Sequence, residues 1–317
     1  MFGKLEKVRA KFLLLGGITV LIQIIGAGAV GMLMASFVAE AGLPIHIVTR
    51  RAQQAELLLQ QGLTRQNIDG TIRRFSVQAS MHLKNEPSVV IVAVKYDQLA
   101  DVLETLHSIN LQIPILFVQN GLAHFEQGLQ LPQQHIAYSS VQFGAQKQDD
   151  TTVLHRGIGP VKIAVARGQV ETFGAIHELN NHIFPVVQQL DAEQMLTEKA
   201  LLNCFINPLT AILQVKNGEL ITNKYAFQIL QTLYNELMEA FPSMLGTFQF
   251  EDVCGLCERT AMNTSSMLTD RLKGQKTEVD TIVGTVIEKA QENGHMVPTL
   301  TLLHRLVKAF EESGEKM

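Results

Sequence analysis

The chain predicts an α/β fold: a doubly wound parallel sheet followed by an all-helical C-terminal domain. Three observations carry this expectation. Apolar strand-like runs alternate with helical segments through the first 190 residues. A glycine-rich turn joins the first of these strands to the first helix. Beyond residue 190 the strands give way to long helical stretches.

In chain order, ITVLIQIIG (18–26) reads as a strand and VGMLMASFVAEAG (30–42) as a helix closing at Gly42. IHIVTR (45–50) is the second strand expected, SVVIVAVK (88–95) the third and PILFVQNG (114–121) the fourth, with a helix over LADVLETLHSI (99–109). HIAYSSVQFGA (135–145) and GPVKIAVA (159–166) read as later strands. The second half holds DAEQMLTEKALLNCFINPLTAILQ (191–214), a long apolar helix that Pro208 should kink. Helices follow at 225–241, 251–263, 277–294 and 299–313, the third of these stopping at Asn293-Gly294. The expected division is an N-terminal extension over 1–17, a nucleotide-binding domain over 18–190 and a helical domain over 191–317.

Residues 12–39 carry no charge. Composition alone would allow a signal peptide or membrane span there. Glycines at 16, 17, 26, 28 and 31 punctuate the run, and it divides into strand, turn and helix, so a soluble chain without membrane contact is expected. With 26 basic and 30 acidic residues, a formal charge of -4 and no Trp, no nucleic-acid surface is expected. Three cysteines suit a reducing cytoplasm. Cys254 and Cys257 form a CxxC, but no second ligand pair lies nearby to make a metal site, and structural thiols are the simpler reading.

Gly26-Ala27-Gly28-Ala29-Val30-Gly31 is GxGxxG placed between a strand and a helix, the context of a Rossmann-type dinucleotide site. The first glycine allows a tight turn, the second close approach of a pyrophosphate, the third close packing of helix on strand. The second strand ends in Thr49-Arg50-Arg51, where an NAD site would usually carry an acid. A guanidinium there suits a 2′-phosphate, so NADP(H) is expected over NAD(H); two solvated loop charges are the plainer alternative. Lys95 and Asn120 end later strands and should face the same ligand edge.

Lys199, Asn203 and Asn207 recur at i, i+4 and i+8 within apolar helix, so one face carries a cation and two amides. A partly exposed helix face would read the same way. The sharper reading is a site for an anionic, oxygenated substrate. Reducing a ketone needs a hydride on carbon and a proton on oxygen, and a desolvated lysine can supply the proton. Glu278 is a candidate partner for that lysine; Thr277 resembles an N-cap, with Asp280 completing a capping-box-like pattern. Ser265 and Ser266 read as a cap or loop.

With these residues in view, the chain resembles the ketopantoate reductase (2-dehydropantoate 2-reductase) family. The resemblance runs from residue 18 to about 308 and rests on GAGAVG (26–31), VAVK ending at Lys95, QNGL (119–122), EKALLNCFINPLTAI (198–212), NGEL (217–220), SSMLTD (265–270) and KTEVD (276–280). It implies NADPH-dependent reduction of a small 2-oxo acid, 2-dehydropantoate to (R)-pantoate, on the route to pantothenate. Lys199 would be the general acid, and Glu278 would orient it and touch substrate or cofactor. Asn203, Asn207, Asn217 and Ser266 would bind substrate. Lys95 and Asn120 would lie between cofactor and substrate, Arg50 on the 2′-phosphate and Ala145 beside the nicotinamide. After Leu122 the family often has a further glycine; here Ala123 and His124 follow. The alternatives are a D-2-hydroxyacid dehydrogenase of the same fold and a non-catalytic NADP-binding sensor. The sequence leaves the oligomeric state open, a homodimer included.

Overall fold

The computed structural model of the protein describes residues 20–84, 86–247 and 249–313. The extension expected over 1–17 and the start of the strand expected at 18 lie outside the described residues. Of these described residues, those up to Gln119 together with His124–Met195 form one compact unit, and Asn120–Ala123 with those from Leu196 onward form a second.

The first unit contains β1 (Ile22–Ile25), β2 (Ile45–Val48), β3 (Leu63–Gln66), β4 (Ile72–Phe75), β5 (Gln78–Ser80), β6 (Val89–Val92), β7 (Ile115–Phe117), β8 (Ile136–Val141), β9 (Gly144–Lys147), β10 (Thr152–Gly157), β11 (Val161–Arg167) and β12 (Val186–Gln189). The main sheet has the order β12-β11-β8-β7-β6-β1-β2-β5, and β4-β3-β10-β9 form a smaller sheet. Pairing in the main sheet is parallel except between β8 and β11. The α/β class with a parallel-dominated sheet is therefore as expected, and its periphery corrects the simpler picture. HIAYSSVQFGA, expected as one strand, is shared between β8 and β9 in different sheets. β3, β4 and β5 fell outside the expected pattern, because three to four residues, largely exposed in β4, give no apolar period to read.

Every residue of β1, β2 and β6 is buried, as the continuous apolar runs imply. The helix Ala29–Glu40 touches β1 and β2 of the main sheet and β3, β4, β9 and β10 of the smaller one. Met32, Leu33, Met34, Phe37 and Val38 are all buried in it. Covered by sheet on two sides, this helix carries one charge, Glu40 at its end, and its apolar composition is that of a buried helix. Each such side chain stabilises the unit by roughly 1.5–3 kcal/mol. Among the described residues no helix is long and apolar enough to cross a membrane.

The second unit is helical: most of Ala192–Leu213, then Glu219–Thr222, Lys224–Ala240, Phe250–Arg259, Ser266–Leu272, Thr285–Glu292 and Pro298–Ser313. Asn223 caps the third of these, its Oδ1 accepting from the N–H groups of Tyr225 and Ala226 at 3.0 and 3.2 Å. Ala192–Leu213 runs through Pro208 as one helix. Proline removes a single N–H, and flanking side chains that pack on both sides of it, such as the buried Phe205 and Leu209, hold the helix together. The segment expected as a helix from 277 opens instead with a π-helical turn, Asp280–Gly284, before Thr285–Glu292. It ends as expected, with Asn293 as C-cap and Gly294 at φ +80°.

Candidate active site

In the first unit the glycine motif lies between β1 and the helix Ala29–Glu40. Gly26 has φ +110°, a conformation that disfavours other residues. A Cβ on Gly31 would lie 2.0 Å from the Gly26 carbonyl oxygen, so turn and helix pack too closely for any side chain there. Gly28 differs: a Cβ on it would meet nothing within 4 Å. Gly28 is also the N-cap, with no side-chain cap and no acid in the first turn of the helix. Free amides and a positive helix end therefore face open space at Gly28, which fits a pyrophosphate. Ala27, Ala29 and Val30 complete the turn.

Arg50 and Arg51 are both exposed but not equivalent. Arg51 is paired with Asp150, which also receives Lys147 Nζ at 2.9 Å. Those two cations hold the Asp150 carboxyl below the usual carboxylate range, Lys147 having the larger effect. Arg50 has no hydrogen bond or ion pair among the described residues. Lys95 is exposed, three residues past the end of β6, and leads into a short 3-10 turn at Tyr96–Gln98 rather than ending the strand. Ala145 lies in β9 opposite His155, partly buried against the core.

The second unit gathers Asn120, Lys199 and Glu278. Lys199 Nζ donates to Asn120 Oδ1 at 2.7 Å, and Asn120 Nδ2 donates to Glu278 Oε2 at 3.2 Å. One amide thus holds the ammonium by its oxygen and the carboxylate by its nitrogen. Burial pushes the Lys199 ammonium down to about 8, and the negative charge of Glu278 opposes that fall. Gly121, at φ +80°, lets the turn after Asn120 approach the π-helical segment: a Cβ there would lie 2.2 Å from the Thr281 carbonyl oxygen.

Asn203 and Asn207 follow Lys199 along its helix, and neither side chain has a hydrogen-bond partner among the described residues. Asn207 is only 6% exposed as a residue. Asn217 is anchored instead: its N–H donates to Asn263 O at 3.1 Å and its Nδ2 to Thr260 Oγ1 at 3.0 Å. Ser265 is the N-cap of Ser266–Leu272, accepting from Leu268 N–H at 3.1 Å, and its hydroxyl meets Thr210 Oγ1 at 2.7 Å. Ser266 is exposed in the first turn. The capping box expected at Thr277 is not formed. Asp280 turns to His304 and Lys308, and Thr277 N–H donates to Glu311.

Residues 22–168 match the family model described as ketopantoate reductase PanE/ApbA, and residues 191–311 match that of the ketopantoate reductase PanE/ApbA C terminal. The chain belongs to the ketopantoate reductase family. Among its relatives, the 2-dehydropantoate 2-reductase of Listeria monocytogenes is 35% identical over 93% of this chain and 98% of its own length. That of Bacillus subtilis is 32% identical over 93% and 99%. A crystal structure of a probable 2-dehydropantoate 2-reductase from Bacillus subtilis superimposes with a TM-score of 0.82 at 31% identity, covering 92% of this chain and all of that one. A D-mandelate dehydrogenase with NADH and anilino(oxo)acetate shares the fold, with a TM-score of 0.81 at 22% identity over 93% and 99%.

Two features of this ketopantoate reductase family member left no local mark in the sequence. Gln54 Nε2 donates to the carbonyls of Ala27 and Asp150, both at 3.1 Å, and so fastens the glycine turn to the loop before β10. Asp150 decides which of two adjacent arginines is left unpaired. Both depend on contacts between residues 27 to 99 positions apart.

Proposed function

We propose that the protein reduces 2-dehydropantoate to (R)-pantoate with NADPH, a cytoplasmic step toward pantothenate. The observation that carries this reading is the arrangement of Lys199, Asn120 and Glu278 beside the unpartnered amides of Asn203 and Asn207, in a chain that 2-dehydropantoate 2-reductase relatives match over 93% of its length. Residues 18–190 serve as the cofactor domain and 191–317 as the substrate domain.

Gly26 to Gly31 hold the pyrophosphate by backbone amides, and Arg50 holds the 2′-phosphate. NADPH, when bound, supplies the hydride for the C2 carbonyl carbon. Lys199 gives its proton to the carbonyl oxygen as negative charge develops there, so the ketone becomes a secondary alcohol and the lysine a neutral amine. Asn120 fixes the direction of the Lys199 N–H groups, while Glu278 keeps the lysine protonated near neutral pH. Asn203 and Asn207 offer amide groups to the carboxylate and hydroxyl oxygens of the substrate, with Asn217 and Ser266 on adjacent segments. Lys95 adds positive charge for an anionic ligand, and Ala145 lines the nicotinamide side.

Steady-state assays of the purified protein with NADPH and 2-dehydropantoate test this. Turnover with chiral (R)-pantoate as product supports it. Tight NADPH binding without turnover of any 2-oxo acid would make the protein a sensor instead.

A further inference from the structure

Glu278 sits in a short segment that the last helix grips on both sides. Immediately before it, Thr277 N–H and Thr277 Oγ1 both donate to Glu311 Oε1 at 2.7 Å. Two residues after it, Asp280 Oδ1 meets His304 Nε2 at 2.9 Å and Asp280 Oδ2 accepts from Lys308 Nζ at 2.8 Å. His304, Lys308 and Glu311 all belong to Pro298–Ser313. The π-helical turn begins at Asp280, the second grip; such turns are rare and frequently mark functional sites. Glu278 O accepts from Ile282 N–H at 3.0 Å and Thr281 Oγ1 at 3.1 Å, and the Thr281 carbonyl abuts Gly121 beside Asn120.

A cap at Thr277 made from within its own helix would have used Asp280. That carboxylate is committed to His304 and Lys308, and Glu311 takes its place from 34 positions away. Of the two grips, Glu311 is the one that bonds the backbone next to Glu278. Its side chain is 15% exposed, so the two bonds to Thr277 form largely out of water, where an acceptor is not readily replaced by solvent.

We propose that Glu311 is a positioning residue for the reaction: through Thr277 it fixes the backbone at Glu278, and with it the Glu278–Asn120–Lys199 chain. This rests on the reading of Lys199 and Glu278 as the reductase machinery. Glu311 itself touches neither Lys199 nor Asn120 in the hydrogen-bond pattern, and it acts only through the segment it holds.

Three variants test it. Glu311→Ala removes the acceptor. Glu311→Gln keeps a neutral oxygen that accepts from both Thr277 groups. Glu236→Ala is the control: Glu236 caps the other end of the same helix, accepting from the N–H groups of Thr299 and Leu300 at 2.8 and 2.9 Å, so its loss weakens the helix without touching Thr277. Crystal structures of the ligand-free variants and kcat and KM for NADPH oxidation are compared. Glu311→Ala should lengthen the Asn120 Nδ2 to Glu278 Oε2 contact of 3.2 Å and lower kcat about tenfold with the NADPH KM unchanged. Glu311→Gln should restore both. An unmoved Glu278 in Glu311→Ala would overturn the proposal, as would a kcat loss matched by Glu236→Ala or unrelieved by Glu311→Gln. If wild-type protein turned over no 2-oxo acid, the functional reading would fail, while the structural comparison would still decide the role of Glu311.

Discussion

Lys199 and Asn120 are 79 positions apart in the chain, and the lysine ammonium donates to the asparagine oxygen at 2.7 Å. The bond matters because an ammonium freed from water needs acceptors in fixed directions if its proton is to be delivered to one oxygen. Asn120 meets that need and, through its nitrogen, brings Glu278 into the same chain of bonds.

Lysine at this position acts only while protonated, and its pKa is lowered to about 8. kcat/KM should therefore be level below pH 8 and fall tenfold per pH unit above it. Glu278 raises the Lys199 pKa, so Glu278→Gln should move the falling limb to lower pH. Lys199→Ala should lower kcat by roughly 10²–10⁴ with little change in NADPH affinity. A falling limb unmoved in Glu278→Gln, measured as kcat/KM against pH, would contradict the electrostatic link.

Arg50 and Arg51 separate by substitution. Arg50→Ala should weaken NADPH by about 1.5–3 kcal/mol, a loss of roughly 10- to 150-fold in Kd, while leaving NADH nearly unchanged. Arg51→Ala should alter NADPH binding far less, because Arg51 is engaged with Asp150. Isothermal titration of both nucleotides on both variants checks this; equal losses for NADPH and NADH would refute the phosphate contact.

The glycines of the motif should fail in different ways. Gly28→Ala meets open space and its φ of -83° suits alanine, so stability should change by no more than about 1 kcal/mol while cofactor binding falls. Gly31→Ala drives a methyl against the Gly26 carbonyl and should cost roughly 1–3 kcal/mol or more in stability. Thermal denaturation of the cofactor-free variants distinguishes them.

How far the sequence foretold these sites follows from where their contacts lie. The glycine turn was legible because all its requirements fall within six consecutive residues. The Lys199, Asn203 and Asn207 stripe was legible because a helix converts a spacing of four into a shared face. The alternation of apolar runs gave the centre of the main sheet for the same local reason. The brace at Thr277 was misread: Asp280 has the right spacing for a capping box, but His304 and Lys308 compete for it from a helix that no local pattern could place there. The β8 to β9 crossing between sheets was hidden likewise, since no charge or proline between Ile136 and Ala145 marks the break.

His46 links pH to stability in the first unit. It is buried, with Nδ1 3.0 Å from Gln23 Oε1 and Nε2 2.9 Å from Ser80 Oγ, and burial lowers its pKa to about 4, with Lys84 adding to the fall. Folded protein therefore resists a proton that unfolded protein accepts near pH 6.5. Its stabilising contribution is complete above pH 6.5 and is lost as pH falls toward 4, by roughly 3 kcal/mol in all. Urea unfolding between pH 7 and 4 should show this loss, and His46→Gln should flatten that part of the curve; an unchanged slope would refute the assignment.

NADPH oxidation by the purified protein, with 2-dehydropantoate compared against 2-oxoisovalerate and benzoylformate, decides the substrate. 2-Dehydropantoate should give the highest kcat/KM, because its hydroxyl and carboxylate can both meet the free amides of Asn203 and Asn207. A clear preference for either acid that lacks the hydroxyl would contradict it and move the enzyme to general 2-hydroxy acid metabolism.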